Sequence, residues 1–255
     1  MRDRDDELRL AEVLVETADT LADDFDAERY LRWLADRCVE LLGARAAGVM
    51  YTGGNGSVRL VACSAQQELA RELLAVQHRG GPCLETFGTR RAVPPVGTGP
   101  GAAGGRWPEF ARRAGEHGVA GTYAVPMRWD GVVLGVLNVF APEAPAEHRR
   151  DRAERELGIA QVLADAAAVG LHNQRTHFEC RVLSEQLRTA LDSRIRIEQA
   201  KGMLAERWNT GVDEAFDALR RYARREQQVI DRVAGLVING VIDADALRPG
   251  RSGPW

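Results

Sequence analysis

LSEQLRTALDSRIRIEQAKGMLAERWNTGVDEAFDALRRYARREQQVIDRVA, residues 183–234, decides how the C-terminal part of this chain folds. Leu183, Ala190, Ile197 and Leu204 recur every seven residues, and Leu187, Leu191 and Ile195 follow at successive turns. This is helical spacing sustained over several turns. At its centre lies Gln199-Ala200-Lys201-Gly202. Lys201 is the only lysine among 34 basic residues. Gly202 falls inside the helical pattern, where glycine costs about 1 kcal/mol relative to alanine. On pattern alone two readings stand: a lysine left by an arginine-rich composition beside a packing glycine, or a functional pair.

Downstream, Asn209-Thr210-Gly211 ends the long helix, and Thr210 with Asp213, or Gly211 itself, caps the next. Phe216, Leu219 and Ala223 form the inner face of that helix. Ile230, Val233, Ala234 and Val237 form the inner face of a third. Short turns between three helices predict a small bundle. Residues 243–255, ending in LRPGRSGPW, are expected to be a disordered tail.

Upstream, the pattern changes. Leu8, Ala11, Leu14, Val15, Ala18 and Leu21 mark a first helix over 5–22, whose stripe needs a partner in this chain or in a second copy. Asp26 N-caps a second helix carrying Leu31, Leu34, Cys38, Leu41 and Leu42, which stops at Gly43. AAGVMYT (46–52) and SVRLVAC (57–63) read as strands joined by Gly53-Gly54-Asn55-Gly56. A helix over about 67–77 is broken at Gly80-Gly81-Pro82-Cys83. Residues 94–105 read as a mobile loop, and Arg106–Phe110 restarts a short helix. Tyr123, Val125, Met127 and Trp129 alternate along a strand. Asp130-Gly131 is a hairpin turn, and 132–140 returns. Hairpins bracketed by helices predict an α+β domain with an antiparallel sheet. A Pro/Ala linker at 141–149 leads into near-continuous helix from 152 to about 208, with an interruption expected around His172-Asn173. The expected division is an N-terminal helix at 1–26, an α+β domain at 27–145, a connecting helix at 146–180 and a helical bundle at 181–242. The apolar stripe predicts a coiled-coil homodimer; the alternative is an intrachain bundle.

A net charge of −3 over 255 residues excludes a chain-wide electrostatic trap for nucleic acid, so any basic surface is local. The N-terminus has no apolar h-region, and no apolar run is long enough to span a bilayer. The spacing of Cys38, Cys63, Cys83 and Cys180 contains no Cys-x-x-Cys pair. The expectation is a cytoplasmic protein with free thiols and no metal.

Arg194 and Lys201 share a helix face, and Arg220 with Arg224, and Arg221 with Arg225, are spaced to share faces of the next helix. If those helices are antiparallel neighbours, the cations form one surface suited to phosphate and RNA loops. The competing reading is a solvated face with ion pairs such as Asp217–Arg221. The residues Leu187, Ala190-Leu191, Ser193-Arg194, Ile197 through Leu204, Ala215-Phe216, Leu219-Arg220 and Ala223-Arg224 resemble the ANTAR domain. That resemblance implies a three-helix bundle that binds paired RNA hairpin loops as a dimer and prevents a terminator from forming. By position it implies RNA contacts from Arg194, Lys201, Arg220 and Arg224, with Gly202 permitting close packing. The sequence departs from that family's pattern at Gln227, Gln228 and Val229, where asparagine and then basic residues are usual.

Gln77, Gly81 through Glu85, Arg106-Trp107-Pro108, Gly118-Val119, Pro126-Met127-Arg128 and Gly135 through Asn138 resemble the GAF sensor domain. The resemblance implies an unidentified small-molecule ligand. Cys83, Tyr123 and Trp129 are the candidates for a ligand or redox site; the alternative for each is core packing. His78 and His117 are candidate haem ligands without a companion motif. No catalytic constellation is expected. The leading expectation is a non-enzymatic antitermination regulator. Two others stand beside it: a GAF-fold thiol reductase using Cys83 with Cys63, and a protein-interaction regulator whose bundle does not bind RNA.

Overall fold

The computed structural model describes residues 2–18, 25–53, 57–99 and 103–248, and the chain divides into two compact units, residues 1–177 and 178–255. In the first unit, helices α1 (Arg2–Ala18) and α2 (Ala27–Leu42) precede strands β1 (Ala46–Thr52) and β2 (Val58–Ala62). Helix α3 (Gln67–Ala75), a 3-10 turn (Val76–Arg79), helix α4 (Pro82–Thr89) and strand β3 (Val93–Gly97) follow. The short α5 (Ala103–Arg106), α6 (Pro108–Glu116), β4 (Gly121–Trp129) and β5 (Val132–Ala141) complete the α+β part. The five strands form one antiparallel sheet in the order β2-β1-β5-β4-β3.

Local chemistry sets most of these boundaries. The Asp26 carboxylate accepts from the amides of Glu28 (2.8 Å) and Arg29 (3.0 Å), closing two donors that the start of α2 leaves open. Gly43, with φ +60°, ends α2 in the left-handed region. Asp130 and Gly131 both have positive φ, 46° and 74°, as a two-residue hairpin between right-twisted strands requires. The turn at Gly54–Gly56 lies outside the described residues.

The sheet is covered on both faces, so β4 is buried throughout from Gly121 to Met127 rather than alternating in exposure. On one face lie α3, α4 and α6: Gly48 abuts Leu74, Asn138 meets Gln77 and Cys83, and Phe140 meets Phe110. Period-2 alternation puts Tyr123, Val125, Met127 and Trp129 on the other.

Three expectations about this part are corrected. The first helix buries Val13 and Thr17, with Leu10 and Leu14 half-buried, and leaves Leu8 and Val15 exposed. Docking on α2 selects this face: the Tyr30 hydroxyl donates to the Thr17 carbonyl (3.0 Å), and the Thr17 hydroxyl to Leu14 (2.6 Å), so a polar residue is buried with its hydroxyl satisfied. Leu21 lies outside the described residues. The supposed loop at 94–105 contains β3, where Pro94 and Pro95 sit on an edge strand interrupted by a bulge; proline cannot donate to a ladder and is tolerated there. The interruption near His172 is absent, and α7 runs from Arg150 to Trp208.

The second unit contains the C-terminal part of α7 with α8 (Val212–Arg225), α9 (Ile230–Ile238) and a 3-10 turn (Ala244–Leu247). Its core joins Ala200, Leu204 and Trp208 of α7 to Ala218 and Leu219 of α8 and Val233 and Val237 of α9. Abundant alanine on the facing surfaces lets the helices approach closely. The stretch expected to be a structureless tail begins with an ordered turn: Asp243 caps it, and Ala244 and Leu247 are buried in the bundle core. Residues 249–255 lie outside the described residues.

Candidate nucleic-acid interface

The second unit brings Lys201 of α7 and Arg220 of α8 to one aromatic ring. The Lys201 Nζ lies 5.0 Å from the centroid of Phe216, and the Arg220 guanidinium carbon lies 5.7 Å from it. Both distances are within the range of cation–π attraction. Phe216, half-buried at the edge of the bundle, therefore gathers cations from two helices. The Lys201 side chain is only 13% exposed, and its ammonium donates to both oxygens of Glu198, at 3.0 and 2.9 Å. Its apolar stem is covered while its charge is held at the surface by a carboxylate one turn back.

Arg194, Arg220 and Arg224 are exposed. Arg194 borders a shallow groove with Leu191 and Ile195, about 10 Å along the axis from Lys201 at helical rise. Arg224 follows Arg220 by one turn of α8. Acidic residues fill the first turn of α8, and Arg224 and Arg225 its last, so the helix dipole is complemented at both ends. Arg225 lies over Tyr222, 4.8 Å from its centroid, and contacts Glu226 at 2.8 Å.

Gly202 does not provide close packing within this chain. It is exposed, and a Cβ built there meets no atom within 4 Å. It faces outward.

The departure at Gln227–Val229 falls on the α8–α9 turn. Gln227 adopts φ +52°, its amide donates to Arg224 (3.2 Å), and the Gln228 amide donates to Ala223 (2.8 Å). These two bonds define a Schellman helix end with Gln227 at the left-handed position. Asn209 holds the same position at the end of α7, with φ +51° and the equivalent bonds to Glu206 (3.1 Å) and Ala205 (2.9 Å). Asparagine tolerates that conformation; glutamine is strained in it. Gly211 caps α8 through its backbone alone, while the Thr210 hydroxyl bonds to Glu214.

One strong pair was not legible in sequence. Arg196 forks the carboxylate of Asp231 with Nε–Oδ1 2.7 Å and Nη2–Oδ2 2.8 Å, tying α7 to the first turn of α9. The hydrogen bonds from Arg196 hold the Asp231 carboxyl below its ordinary value, with Ser193 assisting. The partners are 35 residues apart, and only the acidic first turn of α9 hinted at a role for Asp231.

The candidates in the first unit do not converge. Cys83 lies on the α3–α4 face, whereas Tyr123 and Trp129 lie on the other face of the sheet. Cys83 and Cys63 are both fully buried. Burial pushes the Cys83 thiol well above its ordinary range, the reverse of what a sensing or nucleophilic thiolate needs. Arg79 pairs with Glu109 (3.5 Å). Cys83 belongs instead to a buried polar network. Gln77 donates to Asn138 Oδ1 (2.8 Å) and accepts from the Cys83 amide (2.7 Å), while Asn138 donates to Thr122 Oγ1 (2.9 Å) and the Tyr123 carbonyl (2.8 Å). Trp129 stacks on His172 at 4.5 Å. His78 contacts the Ala75 carbonyl (2.7 Å), and His117 contacts Glu72 (2.9 Å). Among the described residues no cluster of three metal-ligating side chains occurs, and no helix is long and apolar enough to cross a membrane.

The GAF domain family matches residues 7–171, more than half of the chain, which therefore belongs to the GAF-domain proteins. The ANTAR domain family matches residues 185–238, making the chain a two-domain GAF–ANTAR regulator. Such a pairing defines a sensor-regulated regulator of the RNA-binding, transcription-antitermination class, built from two regulatory domain types. No curated protein sequence matches the chain. Similar solved structures include the A. aeolicus nlh2 GAF domain in an inactive state (14% identity, 66% of this chain and 99% of that one, TM-score 0.47). A GAF domain of a sensor histidine kinase from Pseudomonas syringae pv. tomato gives 19% identity over 72% and 97% of the chains, with a TM-score of 0.43. The LuxR family factor CepR2 from Burkholderia cenocepacia gives 16% identity over 66% and 98%, with a TM-score of 0.46.

Proposed function

We propose that this protein is a cytoplasmic homodimer whose ANTAR unit binds paired RNA hairpin loops in leader transcripts and so keeps a terminator from forming, under control of a signal received by the GAF unit. The observation that carries this reading is the shared Phe216 platform, which gathers Lys201 and Arg220 from two helices with Arg194 and Arg224 exposed beside it. Arginine forks phosphate and stacks on unpaired bases, which suits a hairpin loop. Lys201 acts at the base of the platform, and RNA phosphate displaces Glu198 from it. The exposed glycine at 202 leaves room for a ribose-phosphate backbone to come close to α7.

Dimerisation is supported by the apolar stripe on α7. Leu183, Leu187 and Leu191 are 55%, 63% and 59% exposed, so the described part of this chain does not cover them. Exposed leucines at successive turns of one helix face are suited to cover by a second helix, whereas Ile197 and Leu204, further along the seven-residue series, pack in the bundle of this chain. Two linked bundles then engage two hairpins, and bivalency raises avidity by about 10²–10⁴ without new contacts. The GAF signal acts by changing how the two α7 helices pair.

Sequencing the RNA that copurifies with the wild-type protein and with the Arg220→Ala/Arg224→Ala and Lys201→Ala variants tests the reading. Enrichment of paired hairpins in the wild type, lost in the variants, is expected. Equal recovery with all three proteins overturns the interface. A monomer at micromolar concentration, with and without RNA, overturns the dimer.

A further inference from the structure

The first unit contains a cavity of about 200 Å³. It lies between the end of α2, the Gly121–Tyr123 end of β4, the turn at 142–146 and the first turns of α7. Leu42, Val139 and Ala153 give it an apolar lining. Gly121 lets the turn close over it: an added Cβ there would sit 2.6 Å from the Glu143 carbonyl oxygen.

Tyr123 is the informative residue. It is 2% exposed and lines this cavity. Burial, reinforced by the nearby Glu156 carboxylate, keeps the phenol protonated, so it both donates and accepts. The rim carries two opposed ion pairs, Arg149 with Glu143, and Arg152 Nε with Glu156 Oε1 at 2.7 Å. The formal charge of these four groups sums to zero. Arg152 engages Glu156 through Nε alone, so both its η-nitrogens remain available among the described residues.

We propose that this cavity is a binding site for a small, net-neutral zwitterion of the amino-acid type with a short branched aliphatic side chain. Arg152 takes the carboxylate, Glu143 or Glu156 takes the ammonium, Tyr123 completes the polar contacts, and the aliphatic group fills the Leu42–Val139 end. With both ion pairs in place, the rim carries no formal net charge to draw an ion of either sign. The volume lies below that of drug-sized sites, about 300–1,000 Å³, and suits a molecule of this size. The regulatory meaning of the site rests on the first unit being the sensor; the binding itself does not.

Isothermal titration calorimetry of the full chain with L-leucine and L-valine tests this, with 4-methylpentanoate (no ammonium) and leucinamide (no carboxylate) as comparators. Saturable binding of at least one zwitterion is expected at one per chain, with both comparators at least about tenfold weaker for the lost charged contact. Tyr123→Phe is expected to weaken binding about tenfold. Arg152→Gln, a change at an exposed side chain, is expected to weaken it without altering the unliganded melting temperature. No saturable binding of either zwitterion, equal binding of a comparator, or unchanged affinity in Arg152→Gln overturns the assignment. RNA retention is scored separately on the same protein. Its failure refutes the RNA-binding reading, while calorimetry alone decides the cavity.

Discussion

Replacing Gln77 and Asn138 by leucine, singly and together, probes the network that fixes α4 to the sheet. Both side chains are essentially inaccessible, at 1% and 0% exposure. Gln77→Leu removes the bonds to Asn138 (2.8 Å) and Leu73 (3.0 Å) and strips the Cys83 amide of its acceptor (2.7 Å). Asn138→Leu removes the donors to Thr122 and the Tyr123 carbonyl and leaves one Gln77 donor without its acceptor. A hydrogen bond contributes about 1 kcal/mol net, and an orphaned buried group costs about 1–3 kcal/mol. Each single variant is therefore expected to lose about 3 kcal/mol, a large part of the roughly 5–15 kcal/mol typical of a domain. The double variant is expected to lose about 4 kcal/mol rather than 6, because the two side chains share a bond and orphan each other. Urea unfolding followed by tryptophan fluorescence and circular dichroism reads this, since Trp107 is buried in the same unit. Single losses below about 1 kcal/mol, or additivity within about 0.5 kcal/mol, would refute the claim that the network holds this face together.

Gly202→Ala meets no atom within 4 Å, so it is expected to stabilise α7 by about 1 kcal/mol while lowering RNA retention; a more stable protein with unchanged retention removes the close-approach role. Arg196 depresses the Asp231 carboxyl, so the pair's stabilisation is full at neutral pH and is lost as pH falls below the ordinary carboxylate range. Arg196→Gln is accordingly expected to melt lower at neutral pH and to converge with the wild type in acid; thermal scans across pH that stay parallel would contradict this. Gln227→Asn is expected to stabilise the chain by up to about 1 kcal/mol, since φ +52° suits asparagine, and chemical denaturation measures it.

Much of the fold was legible because local rules sufficed. Asp26, Gly43, Asp130-Gly131 and Asn209 each carry the chemistry of the boundary they make, and the inner faces of α8 and α9 follow from helical spacing. The misreadings share a cause. The face of α1, the strand at Val93–Gly97 and the ordered turn at Ala244–Leu247 all depend on a surface supplied by distant residues. Proline and glycine richness says that a segment lacks helix propensity; it does not say whether a neighbouring strand or core will accept it. The candidate interface was half legible: Arg194, Lys201, Arg220 and Arg224 stand out by spacing, whereas the ring that joins Lys201 to Arg220 does not.

The sequence by itself determined the two-domain order, the antiparallel hairpin, the three-helix bundle and the basic residues around Lys201. Periodicity and capping act over a few residues, and the chain displays them directly. Only the tertiary structure decided that Lys201 is held by Glu198 and Phe216, that Gly202 faces outward, and that Arg196 pairs with Asp231. It also put Cys83 and Tyr123 on opposite faces of the sheet, with Tyr123 lining a cavity. Those outcomes depend on which side chains meet across elements. Contacts between residues far apart along the chain are fixed by packing, not by local propensity.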